Sequence, residues 1–291
     1  MKSDIESGAT IFDSNIINVL GEKVKPQSVS LTKKRLSLPF WSSKSQTMPV
    51  KSLFNEKIII SHEVLGSNCE NLKNYIFIVH NYFPAITGSI SFHLKLYYKL
   101  GSKSYFNKIF KNASKIIFIS WHDFEAANLD FPIYSYKFKL IQPGYIRKFN
   151  YPFNNRVSKF INNPGSNDWF LKKHALKKFL SLNIDNCIFS NEFDNSNFIS
   201  VICDNFNVGF KLKLIELAQS FQRIISFVDI KSELDKMGLD VDVIIVNDKK
   251  SFITAYHNFL LKGDYTLSEK NRISEKIKNY SWEKFGDILD E

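Results

Sequence analysis

Short apolar runs alternate with amphipathic stretches along most of the chain after residue 56. The runs KIIIS (Lys57 to Ser61), YIFIVH (Tyr75 to His80) and KIIFIS (Lys115 to Ser120) have continuous apolar centres, which is typical of strands buried on both faces. Further strands are predicted at 137–141, 157–161, 186–190, 199–203, 223–227 and 241–246.

Between the predicted strands, apolar residues recur at helical spacing. This pattern predicts helices at 89–99, 103–112, 121–129, 169–182, 212–218, 230–237, 251–261 and 267–289, the last broken at 279–281. Ser120 followed by Asp123 predicts a capped start for the helix at 121–129. Residues 1–55 show the weakest pattern, so we expect loops there with one helix or strand near Ile11 to Leu20.

Alternating strands and helices with short turns predict an α/β fold with mainly parallel strands. The polar, aromatic stretch Tyr145 to Arg156 is the best candidate for a boundary between two such units. Ligands in folds of this kind bind at the carboxyl ends of the strands, so functional residues are expected there.

Composition adds a bias towards anionic partners. The 291 residues are 44% hydrophobic and 23% charged and carry a net charge of +10, mostly from scattered lysines. This charge favours an anionic ligand or membrane surface, and no nucleic-acid-binding motif accompanies it. Cys69, Cys187 and Cys203 have no disulfide-like spacing. With no leader-like or membrane-length apolar run either, we expect a cytoplasmic protein, peripheral at the inner membrane at most.

The stretch Phe198 to Phe227 is the strongest candidate for a ligand site. An apolar strand runs through the loop DNFNVG into an amphipathic helix, which places Lys211, Lys213 and Glu216 near a helix N-terminus. Such an N-terminus can bind phosphate, and a carboxylate within the helix can bind a ribose hydroxyl. The alternative is a solvent-facing helix on which Glu216 pairs with Lys213.

Four segments, in order, resemble nucleotide-sugar glycosyltransferases of the GT-B type, especially family 4. They are KIIFISWHDFEAANL, KLIQPGYIRKF, the stretch Phe198 to Phe227 and YSWEKFGDIL. The resemblance implies two Rossmann-like domains with a reduced N-terminal domain and a C-terminal crossover helix. It assigns 1–150 to the acceptor side, 151–265 to the nucleotide sugar, and 266–291 to helices that pack back on the first domain.

The same resemblance implies roles for individual residues. Glu216 would hydrogen-bond the donor ribose, Lys211 and Lys213 would meet the pyrophosphate, and Gly209 would let the backbone approach it. The phosphate-wrapping loop would contain Asn163, Gly165 and Ser166.

His80 resembles a histidine that faces the donor sugar, the alternative being a histidine bound to a neighbouring backbone carbonyl. If transfer inverts the anomeric carbon, His62, Glu63 and His80 are the candidate bases, and if transfer retains it, His80 would position the sugar.

The function implied is a metal-independent, hexosyltransferase-like enzyme. It would move a sugar from a nucleotide-diphosphate co-substrate, without a cofactor, to a glycan or lipid-linked acceptor in surface polysaccharide synthesis. Asp240 and Asp242 lie at the wrong end of a strand for a metal site in the cleft. The family often has two glutamates separated by seven residues, and Val208 occupies the first position here. The alternative is therefore a catalytically inactive GT-B-like binding protein, with a nucleic-acid binder as a third, weaker hypothesis.

Overall fold

The computed structural model describes residues 8–24, 58–61, 72–144, 161–162, 170–184, 189–190 and 197–289. Contacts divide the chain into two compact units, each made from three chain segments. The N-terminal unit consists of Phe12–Gln142, Val208–Phe210 and Trp282–Glu291. The C-terminal unit consists of Met1–Ile11, Pro143–Asn207 and Lys211–Ser281. The domain ranges implied by the resemblance stay predictions.

The N-terminal unit contains a four-stranded parallel sheet. Its strands are β1 (Ile59–Ile60), β2 (Ile76–Val79), β3 (Lys115–Phe118) and β4 (Phe138–Leu140), paired in that order. The helices are α1 (Gly8–Leu20), which belongs to this unit from Phe12 onward, α2 (Phe92–Asn112) and α3 (Trp121–Asp130). The described part of the unit also contains a two-residue strand (Thr87–Gly88) and short 3-10 helices at Gly21–Lys23, Phe83–Ala85, Pro132–Lys137 and Trp282–Leu289.

Helix α2 corrects the prediction of two separate helices at 89–99 and 103–112. It runs unbroken through Gly101, although glycine in a helix interior costs about 1 kcal/mol relative to alanine. The Ser102 hydroxyl donates a hydrogen bond to the Tyr98 carbonyl one turn earlier. In the following turn the side chains of Tyr105 and Phe106 are buried in the core. Tertiary packing therefore outweighs the local break signal.

The last residues of the N-terminal unit complete its core together with α1. Phe12 is fully buried and its ring meets the rings of Trp282 and Phe285 edge to face at 5.3 and 5.4 Å. Lys115 of β3 also donates its ammonium to the Ile288 carbonyl at 3.1 Å. The helix or strand expected near Ile11 to Leu20 is therefore a helix, packed through its apolar face.

The C-terminal unit contains a five-stranded parallel sheet. Its strands are β5 (Ile161–Asn162), β6 (Phe189–Ser190), β7 (Ile199–Ile202), β8 (Arg223–Ser226) and β9 (Val243–Ile245), in the spatial order β9-β8-β7-β5-β6. A two-residue strand lies at Phe206–Asn207, and the helices are α4 (Phe170–Leu180), α5 (Lys213–Gln219), α6 (Lys231–Lys236), α7 (Lys249–Lys262) and α8 (Leu267–Ile277). Both sheets confirm the predicted α/β class with parallel strands.

The strand order of the C-terminal sheet reverses between β5 and β7. The chain goes from β5 outward to β6, then returns to place β7 on the other side of β5. Such a reversal sends the following connections to opposite faces and opens a crevice at the carboxyl ends of the two strands, where ligands bind in open α/β sheets. Topology alone therefore points to the residues that follow Asn162 and Ile202.

Candidate functional site

A buried charge cluster lies just beyond the carboxyl end of β7. Asp204 is buried, and its Oδ2 atom lies 3.2 Å from Lys211 Nζ and 3.4 Å from Lys213 Nζ. The two lysine side chains are only 8% and 12% exposed. Lys213 therefore does not lie on a solvent-facing helix surface, which was the alternative considered from the sequence.

Among the described residues, three lysines act on the carboxylate of Asp204. Burial alone would raise the pKa of Asp204, but Lys213, Lys211 and Lys172 together hold that pKa below its ordinary value. Asp204 is therefore ionised at neutral pH, and its single negative charge is shared by several ammonium groups. The neighbouring Cys203 thiol has its pKa raised by burial, so it stays protonated and is no nucleophile.

The backbone around the cluster follows the predicted strand, loop and helix. Lys211 donates its ammonium to the Phe206 carbonyl at 3.4 Å, and its Nζ lies 5.2 Å from the centre of the Phe206 ring. Glu216 lies half-buried in the first turn of α5. The structure thus places Lys211, Lys213 and Glu216 on one continuous segment beside the switch point of the sheet. Asn163, Gly165 and Ser166 follow β5 but lie outside the described residues.

A second arrangement lies at the carboxyl edge of the N-terminal sheet, where β2 ends. His80 is buried, and its ring meets the Phe12 ring edge to face at 4.6 Å. Its role towards a donor sugar stays a prediction. His62 and Glu63, the other candidate bases, lie outside the described residues.

Gly209 approaches the backbone that follows β2 too closely for any side chain. Its φ of +68° is in the left-handed region, and a Cβ atom added there would lie 2.3 Å from both the His80 carbonyl oxygen and Asn81 Oδ1. Glycine is therefore required here for packing within the N-terminal unit. Whether Gly209 also lets the backbone approach a pyrophosphate stays a prediction.

Asp123 holds this arrangement together, and sequence reasoning missed it. Its buried Oδ2 atom accepts hydrogen bonds from the Tyr82 N–H at 2.8 Å and the Gly209 N–H at 3.0 Å. The sequence showed Asp123 only as part of a helix-capping pattern, and Ser120 does accept from the Asp123 N–H at 3.4 Å. Val208, next to Gly209, is buried, so an apolar side chain occupies the position where the family that the sequence resembles often has a glutamate.

Another buried charge cluster lies at the amino end of the C-terminal sheet. Arg223, the first residue of β8, is buried, ion-paired with Asp242 and bound through Nε to the Gly263 carbonyl at 2.6 Å. Its guanidinium lies 4.2 Å from the centre of the Tyr265 ring, and Lys262 also pairs with Asp242 at 2.7 Å. The side chain of Asp242 thus belongs to an ion-pair network.

Within the ranges that the structure describes, three or more His, Cys, Asp or Glu side chains do not come together as a metal site. Among those same residues, every helix is too short or too polar to cross a bilayer.

No protein-family description matches this sequence, and no curated protein is detectably similar to it. Solved structures do resemble it. Sucrose-phosphate synthase from Thermosynechococcus elongatus has a TM-score of 0.55 at 14% identity, over 80% of this chain and 71% of that one. HepE of Anabaena, solved in complex with UDP, has a TM-score of 0.51 at 9% identity, over 80% and 77%.

TarM of S. aureus is a third similar structure. A variant of that protein, solved with fondaparinux, alpha-GlcNAc-glycerol and UDP, has a TM-score of 0.52 at 12% identity, over 78% of this chain and 53% of that one. At such low identity these likenesses show the fold alone. They confirm the GT-B class with Rossmann-like units that the order of motifs predicted.

Proposed function

We propose that the protein is a glycosyltransferase that takes its sugar from a nucleoside-diphosphate donor. The observation that carries the proposal is the pair of mostly buried ammonium groups, Lys211 and Lys213, held beside buried Asp204 at the switch point of a parallel sheet. A diphosphate is the natural counterion for such a site. Two of the similar structures are of proteins in complex with UDP, which supports the choice of a nucleotide.

The lysines would act on the departing diphosphate. As the bond between the anomeric carbon and the diphosphate oxygen breaks, negative charge grows on that oxygen, and fixed ammonium groups stabilise it more than they stabilise the intact donor. Asp204 holds both ammonium groups in place before the donor arrives, so they need little reorganisation. Metal-independent transfer is part of this proposal, because the lysines supply the positive charge.

The remaining roles complete the proposal. Glu216 accepts a hydrogen bond from the donor ribose, and the loop with Asn163, Gly165 and Ser166 wraps the phosphates. His80 positions a hexose in a retaining reaction, and in an inverting one His80, His62 or Glu63 takes the acceptor proton. The acceptor is a glycan or a lipid-linked glycan of surface polysaccharide synthesis, reached from the cytoplasm. Determining the anomeric configuration of the product decides between the two reaction courses.

Calorimetric titration with UDP and other nucleoside diphosphates tests the binding site. The Glu216→Ala change should abolish detectable binding, because the ribose loses its carboxylate partner. Lys213→Gln should weaken binding by about tenfold, the effect of one charge-assisted contact. Lys250→Gln and Glu275→Ala, at exposed positions in α7 and α8, should leave binding unchanged.

Unchanged affinity in the Glu216→Ala and Lys213→Gln variants would overturn the site assignment. If the parent protein binds none of the nucleoside diphosphates tested, the proposed donor class is wrong.

A catalytically inactive, GT-B-like binding protein is the second candidate, and the buried apolar Val208 is the observation that favours it. A screen for release of nucleoside diphosphate from a panel of nucleotide sugars separates the two candidates. Release from any donor refutes the inactive protein. Nucleotide binding without release from any donor, with a mixed glycan and lipid extract as acceptor, supports it.

A further inference from the structure

Helix α2 presents two apolar faces, and the described residues cover only one of them. Its inner face buries Ser102, Tyr105, Phe106, Ile109 and Phe110 in the core of the N-terminal unit. On the outer face Phe92, Leu96 and Leu100 follow one another at intervals of four residues, which places them in one stripe along the first three turns. Phe92 is 72% exposed and Leu100 is 68% exposed.

The same helix is strongly basic. It contains five lysines and no acidic residue among its 21 residues: Lys95, Lys99, Lys103, Lys108 and Lys111. Lys95 and Lys99 each precede a leucine of the stripe by one residue, so they lie along one edge of it, and exposed Tyr97 lies along the other. Lys103 pairs with Asp130 at 2.5 Å, which ties the third turn of α2 to the end of α3.

We propose that this face of α2, the stripe Phe92, Leu96 and Leu100 with its flanking Lys95 and Lys99, docks the protein on an anionic lipid bilayer. An apolar stripe bordered by lysines is what an interfacial helix presents to a membrane, because the apolar side chains enter the acyl boundary while the ammonium groups meet anionic headgroups. Tyrosine is favoured at that boundary as well. The core-facing contacts of Tyr105 to Phe110 hold the helix in place for docking.

The positive charge of α2 favours an anionic lipid bilayer over a second copy of the chain as the partner of this face. Two copies joined through this face would bring Lys95 and Lys99 of one copy against the same two lysines of the other, and such like-charge contacts oppose association. An anionic bilayer removes that repulsion and gains attraction from each lysine near its surface. Docking does not rest on the proposed transfer reaction, so each proposal can fail without the other.

Co-sedimentation of the full chain with vesicles tests the docking surface. We expect binding to vesicles of phosphatidylcholine mixed with phosphatidylglycerol, weakened at high salt, and little binding to phosphatidylcholine alone. The double variant Leu96→Ser with Leu100→Ser should lower partitioning by at least about tenfold, since two apolar side chains no longer enter the bilayer. Lys95→Gln with Lys99→Gln should lower it on the order of tenfold, and only on anionic vesicles.

A matched control removes exposed apolar side chains from the C-terminal unit. Leu261→Ser with Leu267→Ser, at two exposed positions there, should partition as the parent does. Circular dichroism confirms that each variant is folded, and Leu100→Ser alone replaces the double variant if that one is not. The proposal is overturned if the parent stays in the supernatant with anionic vesicles, or if the serine variants of α2 sediment as the parent does.

Discussion

The two ends of the C-terminal sheet both bury charge, but they balance it differently. At the amino end, in the described part of the chain, three cations meet three carboxylates: Asp242 pairs with Arg223 and Lys262, Asp264 pairs with Lys270, and Glu269 acts on Arg223 and Lys262. The Gly263 carbonyl and the Tyr265 ring also contact the Arg223 guanidinium. At the carboxyl end, among the described residues, Lys211, Lys213 and Lys172 all act on the single carboxylate of Asp204. A buried charge is therefore no sign of function by itself, and the surplus of one sign is the informative quantity.

Of the substitutions that test this comparison, removal of the Asp204 carboxylate should have the largest effect on stability. Asp204→Asn leaves two mostly buried lysines without the charge that holds them together, so we expect a loss of about 3–5 kcal/mol in the free energy of unfolding. Urea denaturation at neutral pH measures it. The control Asp240→Asn breaks an exposed pair with Arg272 and should cost no more than about 1 kcal/mol.

The effect of Asp204→Asn should also depend on pH. Because the pKa of Asp204 is lowered in the folded protein, its contribution is complete above the ordinary aspartate pKa of about 3.9 and is lost as pH falls below it. The stability difference between the parent and Asp204→Asn should therefore shrink as the pH is lowered below about 4. A difference that stays constant down to acid unfolding would show that Asp204 is not held as an ion.

The Arg223→Met change tests the amino end of the sheet and should have the next largest effect on stability. We expect a loss of about 2–4 kcal/mol in the free energy of unfolding, softened because Lys262 still pairs with Asp242. UDP affinity of the folded variant should be unchanged, since this cluster lies at the end of the sheet away from the proposed site. Arg272→Met, at the exposed pair, is the control. Loss of UDP binding in folded Arg223→Met would break the distinction between the two ends.

The third test compares two glycines, and the expected difference in stability between their alanine variants is the smallest of the three effects. Gly238 has a nearly identical φ of +66° but open space around it, so Gly238→Ala tests the backbone strain alone. Gly209→Ala adds overlap with the His80 carbonyl and Asn81, and should cost about 1–3 kcal/mol more than Gly238→Ala.

Gly209→Ala should also weaken UDP binding, because it displaces the chain two residues before Lys211. Gly238→Ala should not. Equal stability and equal UDP affinity in the two variants would contradict the close approach at Gly209.

The strands were predictable because parallel strands buried on both faces are mostly apolar, as at Ile76–Val79 and Ile199–Ile202. The position of Lys211, Lys213 and Glu216 on one strand, loop and helix was also predictable from the sequence, and their roles stay predictions. Two helices were predicted where α2 runs unbroken through Gly101, because the contacts that stabilise α2 come from residues distant in the sequence and a local pattern does not contain them.

The partners of Asp123 and Arg223 could not be predicted from the sequence for the same reason. Asp123 and Gly209 are 86 residues apart, and nothing local to either indicates the other. Arg223 begins an apolar strand and meets Asp242 only because β8 and β9 are neighbours in the sheet. Strand order has to be known before either contact can be inferred.

The contact of Phe12 with Trp282 and Phe285 sets an order of events during synthesis. Ribosomes release the chain from its N-terminus, so β1 to β4 emerge long before the aromatic rings that close their core. We therefore expect the N-terminal unit to remain incompletely packed until the segment after Ser281 has left the exit tunnel, whereas most domains can fold while the chain is still growing. During that interval, exposed apolar surface of the nascent chain makes it a substrate for chaperones.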